Sequence, residues 1–469
     1  MELFSVLGAK GGWILGYVIP FLFVLTIVVF FHELGHFWVA RRCGVKIDAF
    51  SVGFGPELFG FNDKHGTRWR FAAIPLGGYV RFHGDDSAAS TPDLQKLETM
   101  SESEKKVSFF HQPVRNRAAI VAAGPIANFI LAIVIFAGVL YGIGRNVTTP
   151  VFEVIRANGP AQVAGLQPGD RVISINGKEI DGYEDVLRVV TLSAGEKLDF
   201  VIERKGREIT ATVVPTLREI KDNFGSTHRV GDIGVSRWPA RASAVRPGSA
   251  AMEAGMRPGD IILSIDGKPV EAFEDLPRIV SAALGKKLEL VVQRGSERLT
   301  LHATPKPHPN NAKLGVLGIE NPSTPQDSFR KRFGIVEAVG MGFSETWFVV
   351  ERTMAYIGGI IVGKESIDQL GGPIRIGQVA GEVAAQSFYD LLRLTAVLSV
   401  SIGLLNLFPV PLLDGGHLLF YAIEAVRGRP LSERAQEYGF RIGLAFVMLL
   451  MIVATWNDIF QLFLRAQAS

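Results

Sequence analysis

His32-Glu33-Leu34-Gly35-His36 is the segment of this chain best equipped for chemistry. Residues four apart on a helix share a face, so the imidazoles of His32 and His36 can hold one Zn²⁺ between them, with Glu33 beside them as a general base. Such a centre needs no Ser, Thr or Cys nucleophile. A bound metal lowers the pKa of its water to about 7 and polarises a carbonyl, and the glutamate takes the proton. The chemistry suggested is hydrolysis. A five-residue pattern also recurs by chance, and a histidine pair can be two satisfied polar groups and nothing more. The surroundings argue otherwise: the uncharged run Gly11 to Phe31 leads directly into the motif. That run is long enough to cross a bilayer, where unused ionisable groups are expensive.

A catalytic zinc takes three protein ligands and leaves its fourth position open. Most of the nine histidines lie in regions expected to be far from this site. A better candidate closes a later apolar run, in Asn406-Leu407-Phe408-Pro409-Val410-Pro411-Leu412-Leu413-Asp414-Gly415-Gly416-His417. Pro409 and Pro411 break a helix there and free backbone groups beside a carboxylate. Asp414 is the expected third ligand. His417 is the alternative, its plainer reading being an interfacial imidazole satisfied by water.

These residues need a membrane framework, and the composition supplies one. Of 469 residues 48% are hydrophobic, and the mean hydropathy is +0.24. Uncharged stretches of 27, 20 and 16 residues follow Arg117, Arg393 and Arg441. With the first run they predict four transmembrane helices. The first lacks a small-residue cleavage site, and its removal would discard the metal motif, so it is expected to be a retained helix and not a signal peptide. Arg41, Arg42, Lys46, Lys105, Lys106, Arg115 and Arg117 flank the first connection, and Arg427, Arg429, Arg434 and Arg441 fill the last. By the positive-inside rule both are cytoplasmic, which puts residues 146–388 and both termini on the opposite side. The first and third spans then run toward the cytoplasm and bring His32 and Asp414 to one level. The net charge of +3, with no basic stripe interleaved with aromatics, argues against nucleic acid as a partner. The single cysteine, Cys43, excludes an intrachain disulfide and is expected to be inert.

Between the second and third spans the chain repeats itself. Ala164-Gly165-Leu166-Gln167-Pro168-Gly169-Asp170 returns 90 positions later as Ala254-Gly255-Met256-Arg257-Pro258-Gly259-Asp260. The match runs without gaps through Asn176-Gly177-Lys178 and Asp266-Gly267-Lys268 to Arg204 and Arg294. Each copy reads as short strands, a Pro-Gly-Asp turn, an Asn-Gly or Asp-Gly hairpin, a helix and a further strand, a pattern that resembles PDZ domains. PDZ domains capture extended peptides or chain ends by adding a strand to a sheet edge. Gly231, Ile233 and Gly234 in one copy, and Gly315 and Gly318 in the other, are candidates for the ligand loops. Ordinary glycine turns are the alternative.

With these segments assembled, the chain resembles the site-2 protease family of intramembrane zinc metalloproteases, and within it the bacterial regulator-of-sigma-E type. The features that carry the resemblance are HELGH, the segment Gly124-Pro125-Ile126-Ala127-Asn128, the twin repeats and the Asn406 to Gly416 segment. The resemblance implies a Zn²⁺ cofactor, Asn406 holding the substrate backbone near the metal, and a membrane-associated β element over residues 48–83. It also implies single-span substrates cut after a first extracytoplasmic cleavage, for example an anti-sigma factor, or signal-peptide remnants, in a bacterial inner membrane. The alternative for the β element is a cytoplasmic hairpin that only covers the site.

The expected fold class is therefore a multi-pass α-helical membrane protein with two inserted PDZ domains. Its parts are the first helix with HELGH (1–47), a cytoplasmic connection with the β element (48–115), the second helix (116–146), PDZ domains (147–238 and 239–321), a linker (322–388), the third helix (389–417), and a cytoplasmic loop with the fourth helix (418–469). Residues 334–362 in the linker read as an amphipathic helix at the membrane surface, or as a packing helix between the PDZ pair and the third span. Partners expected are single-span proteins, peptide or chain-end ligands of the PDZ domains, and lipid. Two rival readings are an inactive scaffold, against which Glu33 argues, and an anchored protease of soluble proteins, against which the depth of the site argues.

Overall fold

A computed structural model describes residues 13–85, 99–221, 227–308, 311–320, 328–363, 367 and 371–468. The chain divides into two compact units, Met1–Gly144 with Arg332–Leu464 and Arg145–Lys331 with Arg465–Ser469.

The long helices of the first unit are α1 (Trp13–Arg42), α2 (Val114–Gly142), α3 (Ile335–Ile361), α4 (Pro373–Gln386), α5 (Phe388–Asn406), α6 (Asp414–Arg427) and α7 (Glu433–Ala468). Four of these, α1, α2, α5 and α7, are long and apolar enough to cross a membrane, the number expected from the uncharged runs. A helix satisfies its own backbone, which is what an apolar run in lipid requires. α1 stops at Arg41 and Arg42, and Gly44, at φ +78°, turns the chain away. The guanidinium groups of Arg41 and Arg42 lie over the rings of Phe37 and Trp38, at 4.5 and 4.7 Å from the centroids.

Two glycines set how closely α1 and α2 cross. A methyl group at Gly35 would collide with the Ala123 carbonyl and the Ala127 side chain, and one at Gly124 with the imidazoles of His36 and His32. Small residues let helix backbones touch where hydrophobic segregation offers no drive between them. α5 seats on α2 in the same way, Gly403 lying against the Pro125 carbonyl and Asn128.

α3 packs along α2 and keeps Val336, Phe343 and Trp347 exposed. Ala338 meets Leu140, Gly342 lies against the backbone of Ile133 and Ala137, and Val349 and Val350 join the cluster around Ala132 and Phe136. The helix thus runs antiparallel along α2 instead of standing apart from it. Its buried residues Ala338, Gly342 and Thr346 fall four apart, a small-residue stripe beneath the aromatic face that the sequence pattern emphasises.

β1 (Ile47–Asn62) and β2 (Arg68–Phe82) form an antiparallel pair in which each strand bends. Residues 49–52 of β1 pair on one side with 68–71 and on the other with 78–81, while 57–62 pair with 68–72. Two strands therefore build four ribbons, with residues 78–82 at one edge. The bends fall at Gly53, Gly55 and Gly77, with φ of +93°, +87° and +155°. At the hairpin tip Asp63 accepts hydrogen bonds from the N–H groups of His65 and Thr67, at 2.9 and 3.0 Å, and pairs with Arg41 at the end of α1.

The second unit carries the repeat. In each copy four strands lie in the order 178–179, 171–175, 198–204, 207–213 and 268–269, 261–265, 288–294, 297–303. The register irregularity recurs at the equivalent step, Val172/Ser174 and Ile262/Ser264. Asn176 and Asp266 take φ of +51° and +49° in the hairpin turns, as Asn-Gly and Asp-Gly pairs favour. Separate cores gather around Phe200 and Ile202 and around Leu290 and Val292. The repeated Pro-Gly-Asp turns have a structural reason: Asp170 and Asp260 are fully buried, and each pairs with its own arginine, Arg204 or Arg294. The copies are clamped together by Arg156 on Asp275, at 2.9 Å, and by the Ser236 hydroxyl donating to Glu274.

Burial opposes ionisation of Asp63, but Arg41 and the Thr67 and His65 N–H groups outweigh it and hold the carboxyl down to about 2, from an ordinary 3.8. A carboxyl with a lowered folded-state pKa stabilises fully above its ordinary value and loses that contribution as pH falls toward its folded value. Amide exchange over residues 60–70, corrected for intrinsic rate, should accelerate between about pH 5 and 2.5 in the wild type. In Asp63→Asn it should be faster at the upper pH and nearly flat. Identical profiles would remove the clamp.

Candidate active site

α1 presents His32 and His36 one turn apart, their Nε2 atoms 3.2 Å from each other. Asp414, the first residue of α6, brings Oδ2 to 3.1 Å from His32 Nε2 and 3.6 Å from His36 Nε2. Four ligands about 2.0–2.1 Å from Zn²⁺ in a tetrahedron stand roughly 3.3 Å apart, so these three atoms outline one face of such a tetrahedron. Asp414 Oδ2 is buried and makes no hydrogen bond in this geometry, a costly state that a cation relieves. Two imidazole nitrogens, one carboxylate oxygen and an open fourth side form a catalytic donor set; structural sites close all four positions. The residues fit zinc.

The far sides of both rings are also held. His36 Nδ1 lies 2.9 Å from the Ile120 carbonyl, which accepts its proton and leaves Nε2 free to ligate. His32 Nδ1 lies 3.3 Å from the side-chain amide of Asn128. Both partners come from α2, and the absence of a side chain at Gly124 lets that helix approach the rings.

Asp414 is delivered by a tight turn. Pro409 and Pro411 end α5, and side chains at Gly415 and Gly416 would strike the carbonyls of Leu407, Phe408 and Val410. Leu412 takes φ +99°, a conformation that costs a side-chain-bearing residue about 1–3 kcal/mol and persists only where its surroundings enforce it.

Glu33 faces the β hairpin. A methyl group at Gly78 would come within 3.4 Å of Glu33 Cγ, so this side chain lies against the hairpin edge. A cavity of about 730 Å³ opens here, with Glu33, Gly78, Asn406 and Asp414 in its wall. Its wall also includes the half-buried pair of Arg117 and Glu424, which are 2.6 Å apart.

The structure brings together His32, His36 and Asp414 as the metal-binding cluster, with Glu33 beside it and Asn406 in the same cavity. His417, the alternative ligand, is half-buried one turn after Asp414 but falls outside the cluster. Its ring stands 5.4 Å from that of Phe440 and 6.4 Å from that of Tyr421. The proposed ligand loops at Gly231, Ile233, Gly234, Gly315 and Gly318 belong to the other unit. Roles for Gly35, Gly124, Asn128 and Gly78 were not read from the sequence. The signal available was spacing, since Gly124 and Asn128 sit four apart, as His32 and His36 do.

The profile of peptidase family M50 matches residues 20–450. A chain of Agrobacterium fabrum named "Putative zinc metalloprotease" is 41% identical over 452 residues, covering 96% of this chain and 97% of its own. One of the same name from Rhizobium meliloti is 42% identical over 451 residues, covering 96% and 98%. The regulator of sigma-E protease RseP of Escherichia coli is 36% identical over 447 residues, covering 93% and 97%. With the profile running through both halves of the site and relatives matched over more than nine-tenths of each chain, this protein belongs to peptidase family M50, the zinc metalloendopeptidases of the site-2 protease class.

Proposed function

We propose that the protein hydrolyses peptide bonds within or near the transmembrane segments of single-span proteins, after a first cut has removed most of their extracytoplasmic part. The observation that carries this reading is the position of the metal-binding cluster, at the end of a membrane-length helix and beside the edge of a β hairpin. Zinc, when bound, polarises the scissile carbonyl and acidifies a water molecule. Glu33, beside the hairpin edge, takes a proton from that water as its oxygen bonds to the carbonyl carbon, and passes it to the leaving nitrogen as the C–N bond breaks. His32, His36 and Asp414 hold the ion, and the Asn406 side chain positions the substrate backbone from the cavity wall.

A transmembrane helix hides its carbonyls in its own hydrogen bonds, so the substrate must unwind before attack. Residues 78–82 offer an edge on which an unwound stretch can pair, since among the described residues their ladder partners lie on one side only. The hairpin then acts as a membrane-associated element that replaces hydrogen bonds lost by the substrate.

The two repeats act as PDZ domains on the extracytoplasmic side of a bacterial inner membrane, screening substrates by chain end or by bulk. Their duplicated strand order and matching bulge support the reading as paired modules, and the charges flanking the first and last connections support the orientation. The Escherichia coli relative is named regulator of sigma-E protease; an anti-sigma factor is one substrate class this reading takes, and signal-peptide remnants are another.

Three outcomes are expected. Glu33→Gln keeps zinc and cleaves a tagged single-span reporter at least about 100-fold more slowly, whereas Asp414→Ala loses both zinc and cleavage. Full zinc in Asp414→Ala, measured by metal analysis, transfers the ligand role to His417. Helix-breaking residues introduced stepwise into a resistant reporter span raise its cleavage rate stepwise, and a constant rate across the series rules out limiting unwinding. Replacing residues 149–327 by a short linker, with the paired ribbon of Arg145–Thr148 and Ser328–Lys331 retained, permits cleavage of reporters that still carry a large extracytoplasmic domain. Unaltered discrimination would end the screening role.

A further inference from the structure

We propose that Asn128 is the positioning residue for His32: its side-chain carbonyl accepts the Nδ1–H of that imidazole and so turns the Nε2 lone pair toward the metal. Asn128 is fully buried in α2. Its Nδ2 is placed 3.3 Å from His32 Nδ1, while its Oδ1 is buried without a hydrogen-bond partner. The two ends of a side-chain amide differ little in shape and exchange by a half-turn about the last torsion.

The chemistry distinguishes the two settings. With Nδ2 donating to Nδ1, the neutral ring carries its proton on Nε2, the atom that faces His36 and Asp414, and that atom cannot ligate. With Oδ1 turned to the ring, Nδ1 holds the proton and Nε2 presents its lone pair. Exchanging the ends also gives the orphaned oxygen a donor. The other ligand already has this arrangement, because His36 Nδ1 faces a carbonyl, that of Ile120, at 2.9 Å. Each ring is thus backed by an oxygen from α2, one from the main chain and one from a side chain.

Asn128 itself is fixed. Its main-chain carbonyl accepts from the Ser399 hydroxyl at 2.9 Å, and its Cβ lies against Gly403, both on α5. The third apolar helix, which ends just before the turn that delivers Asp414, therefore also seats the residue that aims His32.

The test compares wild type, Asn128→Leu and Asn128→Asp as full-length protein in detergent, by chelator competition for zinc and by ¹⁵N-histidine NMR of the zinc-loaded form. Loss of an outer-shell partner lowers metal affinity about 10–100-fold, and that loss is expected for Asn128→Leu. Asn128→Asp keeps an acceptor and should hold zinc within a few-fold of wild type. The wild-type spectrum should show His32 protonated at Nδ1 and ligated through Nε2. Wild-type affinity in Asn128→Leu, or a His32 ring ligated through Nδ1, overturns the proposal. The spectrum requires no variant, so the idea stays testable if Asn128→Leu fails to fold. A wild type that binds no zinc would instead contradict the metal centre on which this role rests.

Discussion

The fold is organised around one constraint: two imidazoles and a carboxylate lie within a few ångströms of one another in a largely apolar helical bundle, where uncompensated polar groups are costly. Their arrangement becomes favourable when a divalent cation accepts all three lone pairs. The ion in turn demands that side chains more than 370 positions apart in the chain be held to tenths of an ångström. Glycines at the crossing of α1 and α2, the prolines that end α5, the strained backbone at Leu412 and the small-residue seating of α5 on α2 all serve that demand.

The same constraint explains why substitutions that look mild in sequence would be severe in structure. Gly124 has no chemistry of its own, yet any side chain there occupies the space of the ligating rings. Gly78 likewise keeps the hairpin edge close to Glu33. Helices carry all three members of the metal-binding cluster, and the bent hairpin lies beside them.

Much of this was legible in the residues. The spacing of His32 and His36 fixes a shared face, the uncharged runs mark the four membrane-length helices, and the depth of the third run's end points to Asp414. The repeat was visible because its buried Asp170–Arg204 and Asp260–Arg294 pairs require the same residues at the same interval. Other features left weaker traces. α3 has a conspicuous aromatic face, but Ala338, Gly342 and Thr346 decide where it packs, and small residues contribute little to a hydrophobic pattern. The hairpin reads as two strands; its four ribbons follow from glycine bends whose direction depends on what they pack against. Asn128 looks like one polar residue in an apolar helix until His32 is beside it.

Zinc K-edge X-ray absorption of the purified full-length protein tests the central claim most directly. The account predicts a first shell of nitrogen and oxygen at about 2.0–2.1 Å, with the outer-shell scattering of two imidazoles and no sulfur. A first shell containing sulfur near 2.3 Å, or one with four imidazoles, would contradict a centre built from His32, His36 and Asp414.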